Sequence, residues 1–134
     1  MMTSRGGDTA FILTVLAIVV PLLALLPVAR HADEVLDRQR PMYDDLVHVE
    51  WLEYQALRDT GSAVEIDVEG EAVAIGDAEF QPSDGVRIVV EVPAPEQFCV
   101  QVSNSFGDSS ARSCFDPADP PRDPDRSQSV QPAA

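Results

Sequence analysis

Cys99 and Cys114 are the residues of this chain best suited to covalent chemistry. They lie fifteen positions apart and border two strand-like runs, 98–102 and 111–115. Antiparallel pairing of those runs can close one disulfide, a cross-link contributing about 3 kcal/mol in the loop-entropy model. Such a bond belongs to an oxidising compartment. A redox-active pair would be spaced C-x-x-C, and a zinc site would need more ligands than two cysteines and two distant histidines. His31 lies at the edge of a long apolar run and His48 on the polar side of a helical segment, neither with an evident group to activate. The serines fall in turns without a Gly-x-Ser-x-Gly context. Asp116, Asp119, Asp123 and Asp125 invite a calcium reading, but they lack the ligand order of an EF-hand and prolines interrupt them. The expectation is a protein that is not an enzyme and holds neither metal nor cofactor.

The elements that must position the cysteines begin with residues 11–29, FILTVLAIVVPLLALLPVA, a run without a charged residue. At about 1.5 Å per residue it would reach roughly 28 Å as a helix, close to the ~30 Å hydrocarbon thickness of a bilayer. Pro21 and Pro27 would break a soluble helix, but membrane helices tolerate them. The run is longer than the apolar region of a signal peptide, and Ala29, preceded by Val28 and Pro27, is its one fair cleavage site. A retained transmembrane helix is the leading expectation, and release after Ala29 is a third possibility behind the two weighed below. Residues 1–10 form a short leader.

Residues 30–59 read as an amphipathic extension of the helix. Val35, Leu36, Met42, Tyr43, Leu46, Val47, Val49, Tyr54 and Leu57 fall on one broad face, with Glu50 and Glu53 intruding. Pro41 predicts a kink or a new segment there. Thr60-Gly61-Ser62 supplies a stop signal. Val35, Met42, Leu46 and Val49 are expected to lie on a sheet; Trp51, Tyr43 and Tyr54 should pack against it too, an exposed aromatic contact being the alternative.

From residue 63 the period changes to two. Val64, Ile66 and Val68 alternate with Glu65, Asp67 and Glu69, a half-buried strand. Further strands are expected over 72–75, 86–92, 98–102 and 111–115, separated by turns at Gly70, at 81–85, at Pro93-Ala94-Pro95 and at 105–110. Residues 60–116 thus make a small antiparallel sheet domain, and the fold class is α+β. Residues 117–134, rich in Pro and Asp, read as a disordered tail.

The formal net charge is −14. Arg5 and Asp8 cancel ahead of the apolar run, so the whole excess belongs to the part after it. Such a balance repels nucleic acid and anionic headgroups at long range. It fits a solvated exported surface, with an acidic docking face for a basic partner as the alternative.

In this order the parts resemble the type IV pilins and pseudopilins. Arg5-Gly6-Gly7-Asp8-Thr9-Ala10-Phe11-Ile12-Leu13 looks like a degenerate version of their leader and cleavage junction. Residues 80–86 (FQPSDGV), Phe98-Cys99-Val100 and Cys114-Phe115-Asp116 are similar to sheet segments of Gram-positive pilins. The resemblance covers roughly residues 5–116. It implies a prepilin peptidase cutting between Ala10 and Phe11, an apolar helix serving as both membrane anchor and filament core, and a pilin-like sheet domain tied by a disulfide. Two positions depart from the pattern. The family has Gly before the Phe, where this chain has Ala10. It also has Glu at the fifth mature position, where this chain has Val15. In the family that carboxylate offsets the N-terminal ammonium of a neighbouring subunit, and a buried ammonium without a partner is costly. A minor pilin or pseudopilin-like subunit is therefore expected, rather than a repeated major one. Its partners would be the membrane, other pilin subunits, the pilus or secretion assembly machinery and a prepilin peptidase, with no nucleic acid. The alternative is a single-pass anchored extracytoplasmic binding module that joins no filament.

The sidedness signals conflict. Arg30, Arg38 and Arg40 outnumber Arg5, which by the positive-inside count puts the C-terminal part in the cytoplasm. The cysteine pair and the pilin pattern put it outside, and that is the expectation adopted: a cell-membrane protein with an extracytoplasmic domain, carried on a surface pilus in the filament reading.

Overall fold

The apolar run and its amphipathic extension are realised as one helix. The computed structural model describes residues 6–128, with side chains from 9 to 126; the start of the expected leader and the end of the expected tail, 129–134, lie outside the described residues. Helix α1, Gly6–Thr60, runs 55 residues and continues through Pro21, Pro27 and Pro41. The new segment expected at Pro41 is not seen. A proline inside a helix forfeits one hydrogen bond to the carbonyl four residues earlier, and here that residue, Asp37, lies on an exposed position of the helix. The stop is where the sequence placed it. Gly61 adopts φ 80° and donates its N–H to the Leu57 carbonyl at 2.9 Å, a left-handed closure that suits glycine.

The chain divides into two compact units, residues 1–38 and 39–134. The described part of the first is helix alone. The second holds the remainder of α1 and six strands: β1 (Ile66–Glu69), β2 (Val73–Ile75), β3 (Ala78–Phe80), β4 (Val86–Ala94), β5 (Gln97–Asn104) and β6 (Ser113–Cys114), followed by the short helix α2 (Pro124–Gln128). Four strands form an antiparallel sheet in the order β1-β4-β5-β6, and β2 and β3 form a separate hairpin between β1 and β4. Strand β3 was not expected, because Ala78-Glu79-Phe80 is too short to establish a period. Strand β4 was expected to stop before Pro93 but runs to Ala94, with an irregular register between Glu91 and Ala94. Proline lacks a donor for the ladder, so a bulge is where a strand can hold it.

Alternation decides which residues enter the core. Ile66 on β1, Val86, Ile88 and Val90 on β4, and Phe98, Val100 and Val102 on β5 turn inward and pack with Met42, Val49, Leu52 and Ala56 of α1. Full burial of each large apolar side chain is worth about 1.5 to 3 kcal/mol. The hairpin closes one flank with Ile75 and Phe80. At its tip a Cβ on Gly76 would come within 3.2 Å of the Ala56 Cβ, and Gly76 has φ 59°, so both space and backbone require glycine there. The helix stripe is narrower than the sequence suggested: Leu46, Tyr54 and Leu57 are half-buried against the core, whereas Leu36, Tyr43 and Val47 are exposed. Residues 117–128 of the expected disordered tail are described as turns followed by α2.

Candidate functional site

The apolar segment of α1 presents hydrophobic surface on every side. Its large side chains from Phe11 to Val28 are each between 39% and 70% exposed. A helix apolar all round needs a non-aqueous environment, and this one is long and apolar enough to cross a membrane. The Thr14 hydroxyl donates to the Ala10 carbonyl at 2.9 Å, so its polar group is satisfied within the helix. That bond falls on the candidate processing junction. Ala10 and Phe11 are both exposed and both helical, and the Ala10 carbonyl is engaged by the Thr14 side chain. Val15, at the fifth position from Phe11, is likewise exposed.

In the second unit the cysteines meet as the sequence required. Cys99 and Cys114 are directly opposed across β5 and β6 and form a disulfide. They stand on the sheet face away from the core, where Arg112 pairs with Glu91 and Arg87 pairs with Asp67 at 2.8 Å. The Arg87 fork holds the Asp67 carboxyl below the usual carboxylate range.

Two carboxylates lie on the buried face of α1: Asp45, which the sequence reading missed, and Glu53, which it placed within the apolar stripe without a role. Asp45, 7% exposed, accepts the backbone N–H of Ser83 at 2.7 Å and its hydroxyl at 2.9 Å, fastening the 81–85 turn to the helix. Burial raises its carboxyl above the ordinary value; the Ser83 bonds offset part of that rise. Glu53 is fully buried; its Oε2 accepts the Val64 N–H at 2.8 Å, while Oε1 is buried with no hydrogen-bond partner. Burial pushes Glu53 up to about 7, against the lowering effect of the Val64 bond. The available signal was phase: Met42, Asp45, Val49, Leu52, Glu53 and Ala56 recur at three- and four-residue steps, which puts two acids on the core stripe.

The remaining chemistry-bearing residues are dispersed. His31 is exposed, and His48 meets the Phe80 ring edge-on at 5.3 Å. Asp116 accepts the Ala118 N–H and Asp123 the Asp125 N–H, so these two acids organise turns, the second at the start of α2. Among the described residues no group of three His, Cys, Asp or Glu could hold a metal ion. The aromatic residues form a line from surface to core. Trp51, Tyr54, Phe115 and Phe98 follow one another at centroid distances of 5.8, 5.7 and 5.3 Å, while Tyr43 stays exposed. Beside this line an open groove of about 370 Å³ lies between Glu50, Phe115, Asp116 and Arg122. Comparison with family models, with curated proteins and with solved structures finds no match.

Proposed function

We propose that the chain is a structural subunit, a minor type IV pilin or pseudopilin-like protein of a surface filament or secretion apparatus. The observation that carries this reading is α1: one helix of 55 residues whose N-terminal part is apolar all round and whose C-terminal part is the core helix of a small antiparallel sheet. A subunit that waits in a membrane and then enters a filament needs both properties in one element, because the same apolar surface must exchange lipid for neighbouring helices. The disulfide supports an oxidising location for the domain, hence an extracytoplasmic one. The partners of this reading are the bilayer, other pilin-like subunits, the assembly machinery and a prepilin peptidase.

Ala10 and Val15 favour the minor role over the repeated one, since neither the preferred junction residue nor the compensating carboxylate is present. The same two residues support the second reading, a single-pass anchored module that docks an extracytoplasmic partner without assembling. Sheared surface filaments separate the two. In the pilin reading the protein sediments with them, Ala10→Gly speeds its processing, and Val15→Glu increases its share of the filament fraction by supplying the new ammonium with a partner. A protein that stays in the membrane fraction and is indifferent to both substitutions is the anchored module.

A further inference from the structure

We propose that Glu53 is a proton-operated latch between α1 and the segment leading into β1: closed while its carboxyl is neutral, and loosened when it ionises. The proposal does not depend on whether the chain joins a filament.

The geometry leaves little alternative use for this side chain. It is fully buried in the middle of the core face, one oxygen holds the Val64 N–H at 2.8 Å, and the other has no partner. The Val64 bond joins α1 to the connector between Gly61 and β1, where Ala63 and Val64 are only half-buried. Carrying a negative charge there leaves an uncompensated anion on Oε1, which is far costlier than a neutral carboxyl.

Among the described residues no cation faces it. Burial and the Val64 bond account for the Glu53 shift, and no charged group contributes to it. The inward positions of β1, β4 and β5 are Ile66, Ile88, Val90, Phe98, Val100 and Val102. On α1, Asp45 is committed to Ser83, Glu50 lines the groove near Phe115, His48 is exposed against Phe80, and Arg58 lies over the Tyr54 ring at 5.8 Å. Glu65, Asp67 and Glu69 of the connector and β1, and Asp77 and Glu79 of the hairpin, are exposed, while Arg87 and Arg112 pair on the outer sheet face.

The sign follows from linkage. Glu53 has an ordinary value of 4.5 and is pushed up to about 7 in the folded chain, so the closed form binds the proton more tightly than the open one. The latch is therefore tightest below 4.5, weakens by about tenfold per pH unit up to about 7, and changes no further above that. Acidification tightens it.

The test uses the full-length protein in detergent micelles between pH 4.5 and 8.5. It follows the ¹³C signal of the Glu53 carboxyl and the hydrogen exchange of the Val64 amide, measured relative to the Val100 amide at the centre of β5. The expected result is a carboxyl titrating near neutrality and a relative protection of Val64 that falls steeply up to about pH 7 and then levels. In Glu53→Gln the same ratio should be flat. A carboxyl titrating in the ordinary glutamate range, or a Val64 ratio that ignores pH in the wild type, overturns the proposal. Both readouts come from the wild-type chain and decide the matter even where the variant does not fold.

Discussion

The two parts of α1 share one secondary structure and differ in what surrounds them. Residues 11–29 expose apolar side chains in all directions, whereas residues 39–60 bury a stripe of Met42, Val49, Leu52 and Ala56 and leave Tyr43 and Val47 to solvent. Helix formation is therefore not what distinguishes the regions; the angular distribution of apolar side chains is. A full circumference calls for lipid or like helices, and a narrow stripe calls for a sheet. The sheet-facing stripe also tolerates two carboxylates, Asp45 and Glu53, because each finds backbone donors beyond the helix in Ser83 and Val64. The apolar part has no acid at all between Asp8 and Asp33.

Substitutions can break this comparison in order of expected effect. Phe98→Ala removes a fully buried ring stacked on Phe115 and should cost about 3 to 5 kcal/mol of domain stability, read by denaturant unfolding of the full chain in micelles. Leu22→Ala, on the lipid-type surface, should leave that transition unmoved; an equal loss would mean that the apolar part packs on protein. Replacing Cys99 and Cys114 together by Ser should cost about 3 kcal/mol, seen as a lower midpoint that matches the reduced wild type. Asp45→Ala strands the Ser83 N–H and should cost about 1 to 3 kcal/mol, with faster exchange in the 81–85 turn. Arg87→Ala breaks only an exposed pair with Asp67, and its thermal midpoint should be indistinguishable from wild type.

Much of this layout could be read from residue patterns, and the failures have identifiable causes. The apolar run, the stop at Gly61, the alternation through Val64, Ile66 and Val68, and the pairing of Cys99 with Cys114 each carry a strong local signal. The helix stripe was placed too broadly. Tyr43 and Val47 look apolar enough to be core yet face solvent, while Asp45 and Glu53 are buried because bonds to Ser83 and Val64 satisfy one oxygen or more of each. Neither bond is local: Asp45 and Ser83 lie 38 positions apart. Strand β3 escaped because a three-residue strand has no period to detect, and Pro93 looks like a terminator because a bulge that accommodates it depends on the partner strand. The site residues suggested by resemblance, Ala10 and Phe11, stand exposed on α1.

The mature N-terminus is the measurement that bears most directly on the proposed function. Intact mass analysis of the protein recovered from the cell surface should give a chain beginning at Phe11, with the Cys99–Cys114 bond formed. A mature chain that retains Met1 or Met2, or one that begins at Arg30, contradicts the pilin-like account.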